Sequence, residues 1–598
     1  MTPEEAVREA DRLLRAGDGQ GADRALAAVW PDPNSAPAPV LILWSLVRRR
    51  QQRLGDAERM LLRAIKLAPK DPRAHAALGE LMASVGNMTA AYESFRAALD
   101  IEPSLIHVRR SLARAALALG RAAEAEQAAR AVVAAEPSAD GYETLSSALR
   151  AQDRLEEAVA AADEAVRRDP AHKPARHARA VALSRIGRNE EALAELDGLI
   201  AQGVHAPAVW LARGVTLLNL TRAADAEAAF ADGVKRWPSD QNLQNALANV
   251  RWMRGAGLGF TRDLEAEIAR NPDSVLLRIA CADLMRRAEA RDRAEALLRE
   301  GLARAPDHPG LLVSLGVMLD ETDRTQEALP YLQRAVALVP QAPPYRVNLA
   351  NALLRLGRGD EALREIAPAR MAEPLNQEWI CYETMALRQL GDPRYHELCD
   401  YELMVAPFDL DPPPGYRDIA AFNEALSASL ARLHVLEAHP LDQSLRGGSQ
   451  TTRSLLTVRD EVIEAYVKAL DAPIRAYMDR MRDPNHPWSG RKTGNYRLTG
   501  CWSVRLKANG FHINHLHPAG WISSAYYVSL PKVVSDAEGQ QGWIKFGEPR
   551  WPTPGCTAEK VVQPREGRLV LFPSYMWHGT IPFSEGERLT APFDAVPA

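Results

Sequence analysis

Cysteine is scarce in this 598-residue sequence: Cys281, Cys381, Cys399, Cys501 and Cys556 are scattered, odd in number and free of CxxC spacing. That usage excludes a disulfide scaffold and a cysteine-ligated zinc site, and it predicts a reducing, cytoplasmic setting. No run of about 18 apolar residues occurs, so no membrane span is expected. The opening Met1-Thr2-Pro3-Glu4-Glu5-Ala6 is acidic and lacks the apolar core of a signal segment. A basic excess is also missing. The formal net charge is −4, which argues against nucleic acid as the main partner. What remains is ordinary soluble material, 46% hydrophobic and 25% charged, long enough for several domains.

Prolines recur at Pro69, Pro103, Pro137, Pro170, Pro238, Pro272, Pro306, Pro340 and Pro374, with gaps of 34, 34, 33, 68, 34, 34, 34 and 34. The 68 is two periods with one proline missing near Val204. Twenty-four residues before these prolines stand Gly79, Ala113, Ser146, Gly214, Ala248, Ala282, Gly316 and Ala350. Twelve residues further on the sequence is again small, from Ala91 to Ala362, with Phe260 the exception; the unmarked repeat supplies Ala180 and Ala192. Small residues at both places let two helices of a repeat approach closely, and the proline stops the second helix. This pattern resembles the tetratricopeptide repeat over about residues 38–395, or about ten repeats. The resemblance implies an all-α superhelix whose concave face binds a protein or peptide. Residues 1–37 are expected to form a helical cap. The stretch around 239–272, with Trp252, Gly255, Gly257 and Gly259, is expected to depart from the regular pairs, as at a bend.

Beyond Pro374 the period fades, and Pro412-Pro413-Pro414-Gly415 reads as a break. Residues 396–430 are read as linker and helix and residues 431–598 as a further domain. Helices are expected over 417–435 and 456–482. The segment His439–Thr451 between them is polar and neither helix-like nor strand-like, and is expected to be a connector or a loop lining a site. Short strands are expected at 500–507, 511–517, 521–530, 542–546, 560–563, 568–573 and 588–594, which suits a sandwich or jelly roll.

The chemistry concentrates in these strands. His515 and His517, two apart in a strand-like run, share a face, and His578 lies in a later run of the same kind. Imidazoles suit iron, zinc, copper or nickel. Arg588 and Thr590 share a face of a further strand. His512, through His512-x-Asn514, competes as a first ligand.

The order His515-x-His517-Pro518, Tyr526-Tyr527, Gly542-Trp543-Ile544-Lys545-Phe546, Leu571-Phe572-Pro573-Ser574 before His578, then Arg588-x-Thr590 resembles the 2-oxoglutarate/Fe(II)-dependent dioxygenases. The likeness is to a bacterial and phage branch with an HxHP motif and covers about residues 430–598. It implies a double-stranded β-helix (jelly roll) with flanking helices, hence an α+β multidomain chain, with Fe(II), 2-oxoglutarate and O2 as cofactors. His515 and His578 would be iron ligands, with His517 a third ligand or a residue behind one. Arg588 would pair with the distal carboxylate of 2-oxoglutarate, assisted by Thr590 and by Tyr527. The usual triad carries a carboxylate where this chain has His517. The implied activity is hydroxylation of a peptide side chain. The alternatives are an oxygenase of small or carrier-bound substrates, a three-histidine zinc hydrolase, for which Arg588 would have no use, and a scaffold with a degenerate barrel.

Overall fold

The computed structural model describes residues 1–598 and divides into two compact units, Met1–Val204 and His205–Ala598. No helix is long and apolar enough to cross a membrane.

The first unit is helical throughout. Pro3–Arg15 and Gly19–Ala27 form the expected opening pair, and antiparallel pairs of 13–14 residues follow from Ala38. The punctuation is visible in the chain: second helices end at Leu67, Ile101, Ala135 and Arg168, each two residues before a periodic proline. The small residues do what their size allows. A Cβ added to Gly79 would stand 2.6 Å from the Phe95 ring.

The second unit continues the helix pairs from Pro207 to Leu390 and then builds the β domain. Gly214 faces Phe230 so closely that an added Cβ would meet the ring at 2.1 Å. Gly214→Val should therefore lower stability by about 1–3 kcal/mol despite its gain in helix propensity, because the aromatic ring cannot yield without opening the pair. Thermal unfolding checks this, and an unchanged midpoint would contradict it.

The irregular repeat has a physical cause. Its first helix, Gln241–Met253, is followed by a 3-10 turn, Gly257–Thr261, and a nine-residue helix, Arg262–Arg270. Phe260, too large for the usual small position, is buried edge-on against Trp252 at 5.5 Å. The Trp252 indole donates to the His439 carbonyl (3.0 Å), and the amides of Glu437 and Ala438 donate to the Met253 carbonyl. The departure from the repeat makes a docking point for the segment that enters the β domain.

That domain comprises β1 (Ala406–Asp409), β2 (Leu445–Gln450), β3 (Tyr496–Cys501), β4 (Val504–His512), β5 (Ile522–Ser529), β6 (Ile544–Phe546), β7 (Lys560–Val562), β8 (Arg568–Pro573), β9 (His578–Thr580), β10 (Arg588–Thr590) and β11 (Phe593–Pro597). An eight-stranded antiparallel sheet runs β1-β8-β5-β10-β4-β2, with β11 joining β3 to β5, and a three-stranded sheet runs β7-β6-β9. The helices Ile419–Ala431, Glu461–Ala469 and Asp471–Met478 pack on the large sheet, with Tyr466, Ile474, Tyr477, Tyr526 and Trp521 in the shared core. All five cysteines are buried and free.

Several expectations need correction. The strand expected at 511–517 ends at His512, and His515 makes only an isolated bridge to His578, while His517 lies beyond any strand. Pro518 lacks the N–H a strand would need, so the chain turns there. The strand expected at 588–594 is two, β10 and β11, broken around Pro592. Leu445–Gln450, read as irregular, is edge strand β2, and Ala406–Asp409, inside the expected break, is edge strand β1. Pro407 in β1 and Gly447 and Gly448 in β2 are poor strand formers that an edge tolerates, which hides both strands in the sequence.

Candidate metal centre and cosubstrate pocket

The three histidines expected to gather do gather, though from a bridge, a turn and a strand. One ligand nitrogen from each of His515, His517 and His578 lies within 4.8 Å of the others. The Nδ1–H of His515 donates to the Ile513 carbonyl and that of His578 to the Met576 carbonyl, both at 2.9 Å. Each hydrogen bond fixes the tautomer and leaves Nε2 as a lone-pair donor. His515 Nε2 and His517 Nε2 stand 3.1 Å apart. Two nitrogens each about 2.1 Å from one metal, at a right angle, would be about 3.0 Å apart. The residues therefore fit a divalent metal.

Asp594, which the sequence reading passed over, stands behind His517. Its Oδ2 accepts from His517 Nδ1 at 2.7 Å, and its Oδ1 accepts from the Ser523 hydroxyl at 2.7 Å, which also bonds Ser574. Burial opposes charging of His517, but the Asp594 carboxylate outweighs it and raises the pKa. Burial, then the charge of His517, pushes His515 down to about 3, and burial holds His578 well below its ordinary value. His515 and His578 are thus neutral near pH 7, and His517 carries a carboxylate behind it. His512 is not part of the cluster: its Nδ1 bonds Ser444 Oγ at 2.9 Å, and the same hydroxyl reaches His515 Nε2 at 3.2 Å.

Arg588 lies beside this centre on β10. Only 2% exposed, it has no carboxylate within ion-pair distance. Its single side-chain hydrogen bond runs from Nη1 to Thr580 Oγ1 at 2.9 Å, and its Nε has no partner. The Tyr527 ring lies 5.1 Å from the guanidinium carbon, and the buried Tyr527 hydroxyl is also without a partner. Thr590 sits on the same face, opposite Tyr527. A buried cation with unused donors, next to an unused hydroxyl, is matched by an anionic ligand with two acceptor oxygens. Tyr526 points the other way and donates to Asn423 Oδ1 at 2.7 Å, as strand alternation requires. Thr580 was not anticipated either.

Both groups open into a cleft of about 740 Å³. Helices of the repeats share its lining: Arg286, Arg287, Glu321, Asn351, Glu378 and Tyr382 line it together with Trp502, Trp577 and the histidines, and the Tyr382 ring meets Trp577 edge-on at 6.3 Å. The repeats grip the domain from this side. Arg388 donates to the carbonyls of Gly547 and Thr557 at 2.9 Å, the Trp577 indole lies 3.0 Å from Met385 Sδ, and Leu441 and Cys556 are buried in the core of the repeats.

Two further histidines line the entry segment. His434 bonds the hydroxyls of Ser449 and Ser503, His439 lies near Arg446, and burial holds each down to about 4. Both are neutral in the folded chain, whereas an unfolded histidine titrates near 6.5. Their contribution to stability is present above that value and is lost as pH falls toward 4, at about 1.4 kcal/mol per pH unit for each group. The unfolding midpoint should therefore drop steeply between pH 6.5 and 4, and less steeply in the double variant His434→Gln/His439→Gln. Identical slopes would contradict this assignment.

Comparison with known proteins agrees in kind. Residues 500–594 match the family described as "Putative 2OG-Fe(II) oxygenase". Tetratricopeptide-repeat models match residues 42–105, 110–173, 149–215, 282–343 and 321–380. A search of curated proteins finds no significant match. Among solved structures, a tetratricopeptide-repeat protein from Parabacteroides merdae is 16% identical over 41% of this chain and 96% of its own, with a TM-score of 0.37. A thermophilic repeat protein of Thermus thermophilus is 25% identical over 30% and 99%, with a TM-score of 0.29. MamA from Desulfovibrio magneticus is 22% identical over 27% and 93%, with a TM-score of 0.26. The chain thus carries tetratricopeptide repeats between residues 42 and 380, followed by a C-terminal stretch, residues 500–594, that matches the putative 2OG-Fe(II) oxygenase model.

Proposed function

We propose that this protein is an Fe(II)/2-oxoglutarate-dependent dioxygenase that hydroxylates a side chain of a protein or peptide held against the repeats, in the cytoplasm. The observation that carries the reading is the pairing of three convergent imidazoles with a buried, uncompensated Arg588 in one cleft. His515, His517 and His578 hold the metal. Arg588, with Tyr527 and the threonines Thr580 and Thr590, receives the distal carboxylate of 2-oxoglutarate. Asp594 orients His517 and balances charge. Such a centre supplies two-electron oxidation of a C–H bond coupled to decarboxylation of 2-oxoglutarate, one atom of O2 entering succinate and the other the product. The two antiparallel sheets flanking the site support a jelly-roll reading of the domain. A hydrolase would have no use for the lone arginine.

The peptide reading rests on the cleft itself, since residues of the repeat helices line it together with the three histidines. A substrate docked on those helices is presented to the site without a second diffusional encounter. Succinate formation from 2-oxoglutarate by iron-loaded protein tests the reading. Measurable turnover lost in His578→Ala is expected, and an inert wild type would overturn it.

A further inference from the structure

Three arginines from three separate elements converge on the cleft that holds the metal ligands. Arg287 ends the helix Val275–Arg287, Arg446 belongs to β2, and Arg550 lies in the loop after β6. Their charges repel one another. Burial and then each other's charge lower the pKa of Arg446, and burial together with Arg286 and Arg287 does the same for Arg550 against the pull of Glu321.

Each has one carboxylate within ion-pair distance, Asp283 for Arg287 at 2.8 Å, Glu289 for Arg446 at 3.9 Å and Glu321 for Arg550 at 3.8 Å, and Asp320, Glu378 and Asp442 also line the cleft. Glu321 is already engaged by Arg286 at 2.6 Å. Glu289 is largely exposed. Asp283 is shared by Arg286 and Arg287. Arg446 spends one nitrogen on the carbonyls of Gln443 and Leu445 and on His439. Arg550 makes no hydrogen bond; its Nε is buried without a partner, and the Trp551 ring, 4.9 Å away, supports its plane. A planar guanidinium held on an aromatic face with its donors unused is arranged to receive an oxyanion in bidentate fashion.

We propose that Arg287, Arg446 and Arg550 form an oxyanion subsite for the substrate, so that the peptide presented to the metal centre carries a carboxylate or phosphoryl group beside the oxidised position. This inference rests on the peptide reading above and gives that peptide a charge. It is distinct from the Arg588 pocket, which the cosubstrate occupies.

The test is fluorescence anisotropy of the full chain with four labelled peptides of one length, carrying Asp/Glu, phosphoserine, Ser/Gln or Lys at the variable positions. The acidic or the phosphorylated peptide should bind at least tenfold more tightly than the Ser/Gln peptide, and more weakly as salt rises. The difference between those two arms tells carboxylate from phosphoryl. Arg550→Gln should weaken that binding at least tenfold, whereas the exposed control Arg565→Gln should stay within twofold. Should Arg550→Gln fail to fold, Arg287→Gln is expected to give a loss in the same direction. Equal binding of the Ser/Gln peptide, tighter binding of the Lys peptide, or indifference to the cleft arginines would overturn the proposal. The assay needs neither iron nor turnover. A chain that binds acidic peptide but forms no succinate would count against the oxygenase reading alone.

Discussion

Replacing Arg588 by methionine should stabilise the metal-free protein while raising the 2-oxoglutarate concentration needed for half-saturation by about two to four orders of magnitude. The two effects share one cause. The guanidinium is buried with one hydrogen bond, to Thr580, and no counter-charge, so without a ligand it contributes less than a well-packed apolar side chain would. Removing it should raise stability by roughly 1–3 kcal/mol. With cosubstrate bound, two charge-assisted hydrogen bonds to a carboxylate are each worth about 1.5–3 kcal/mol. Thermal unfolding with and without 2-oxoglutarate reads both signs: the variant should melt higher alone and lose the ligand-induced shift. A variant that melts lower and still responds to 2-oxoglutarate would place the cosubstrate elsewhere.

Asp594→Asn should weaken divalent-metal affinity about 10- to 100-fold, the usual cost of losing a partner behind a metal-bound histidine. The substitution keeps shape and an acceptor for His517 Nδ1, so the effect isolates charge. It also carries a pH signature. In the wild type Asp594 raises the His517 pKa, and metal must displace that proton, so affinity rises with pH through that pKa. Without the carboxylate the step moves to lower pH. Competition against a chelator across pH 5.5–8 gives affinity and step together. Equal affinity with an unmoved step would show that His517 does not ligate.

Much of this was legible because repeats and turns write their constraints locally. The 34-residue proline period marks the ends of the second helices, and Gly79 and Gly214 mark helix contacts where a ring leaves no room for a Cβ. The histidines and Arg588 could be read from their order along the chain. Asp594 left a fainter signal. It follows Arg588 and Thr590 at even spacing and so belongs to the same face of an extended chain, but Pro592 and the change of partner from β4 to β3 hide it. Phe260 looked like a flaw in the repeat because the residue that explains it, His439, is bonded through Trp252 from far along the chain. The arginine cluster was invisible for the same reason: nothing in the spacing of Arg287, Arg446 and Arg550 announces that they meet.

The central claim is that one cleft binds Fe(II) and 2-oxoglutarate together. Anaerobic addition of 2-oxoglutarate to Fe(II)-loaded protein, followed by visible absorption, tests it most directly. A charge-transfer band that saturates with 2-oxoglutarate in the wild type, and needs at least a hundredfold more in Arg588→Ala, is the result expected from the geometry. No band, with zinc held tightly at the same histidines, would contradict it and make the site a three-histidine zinc centre.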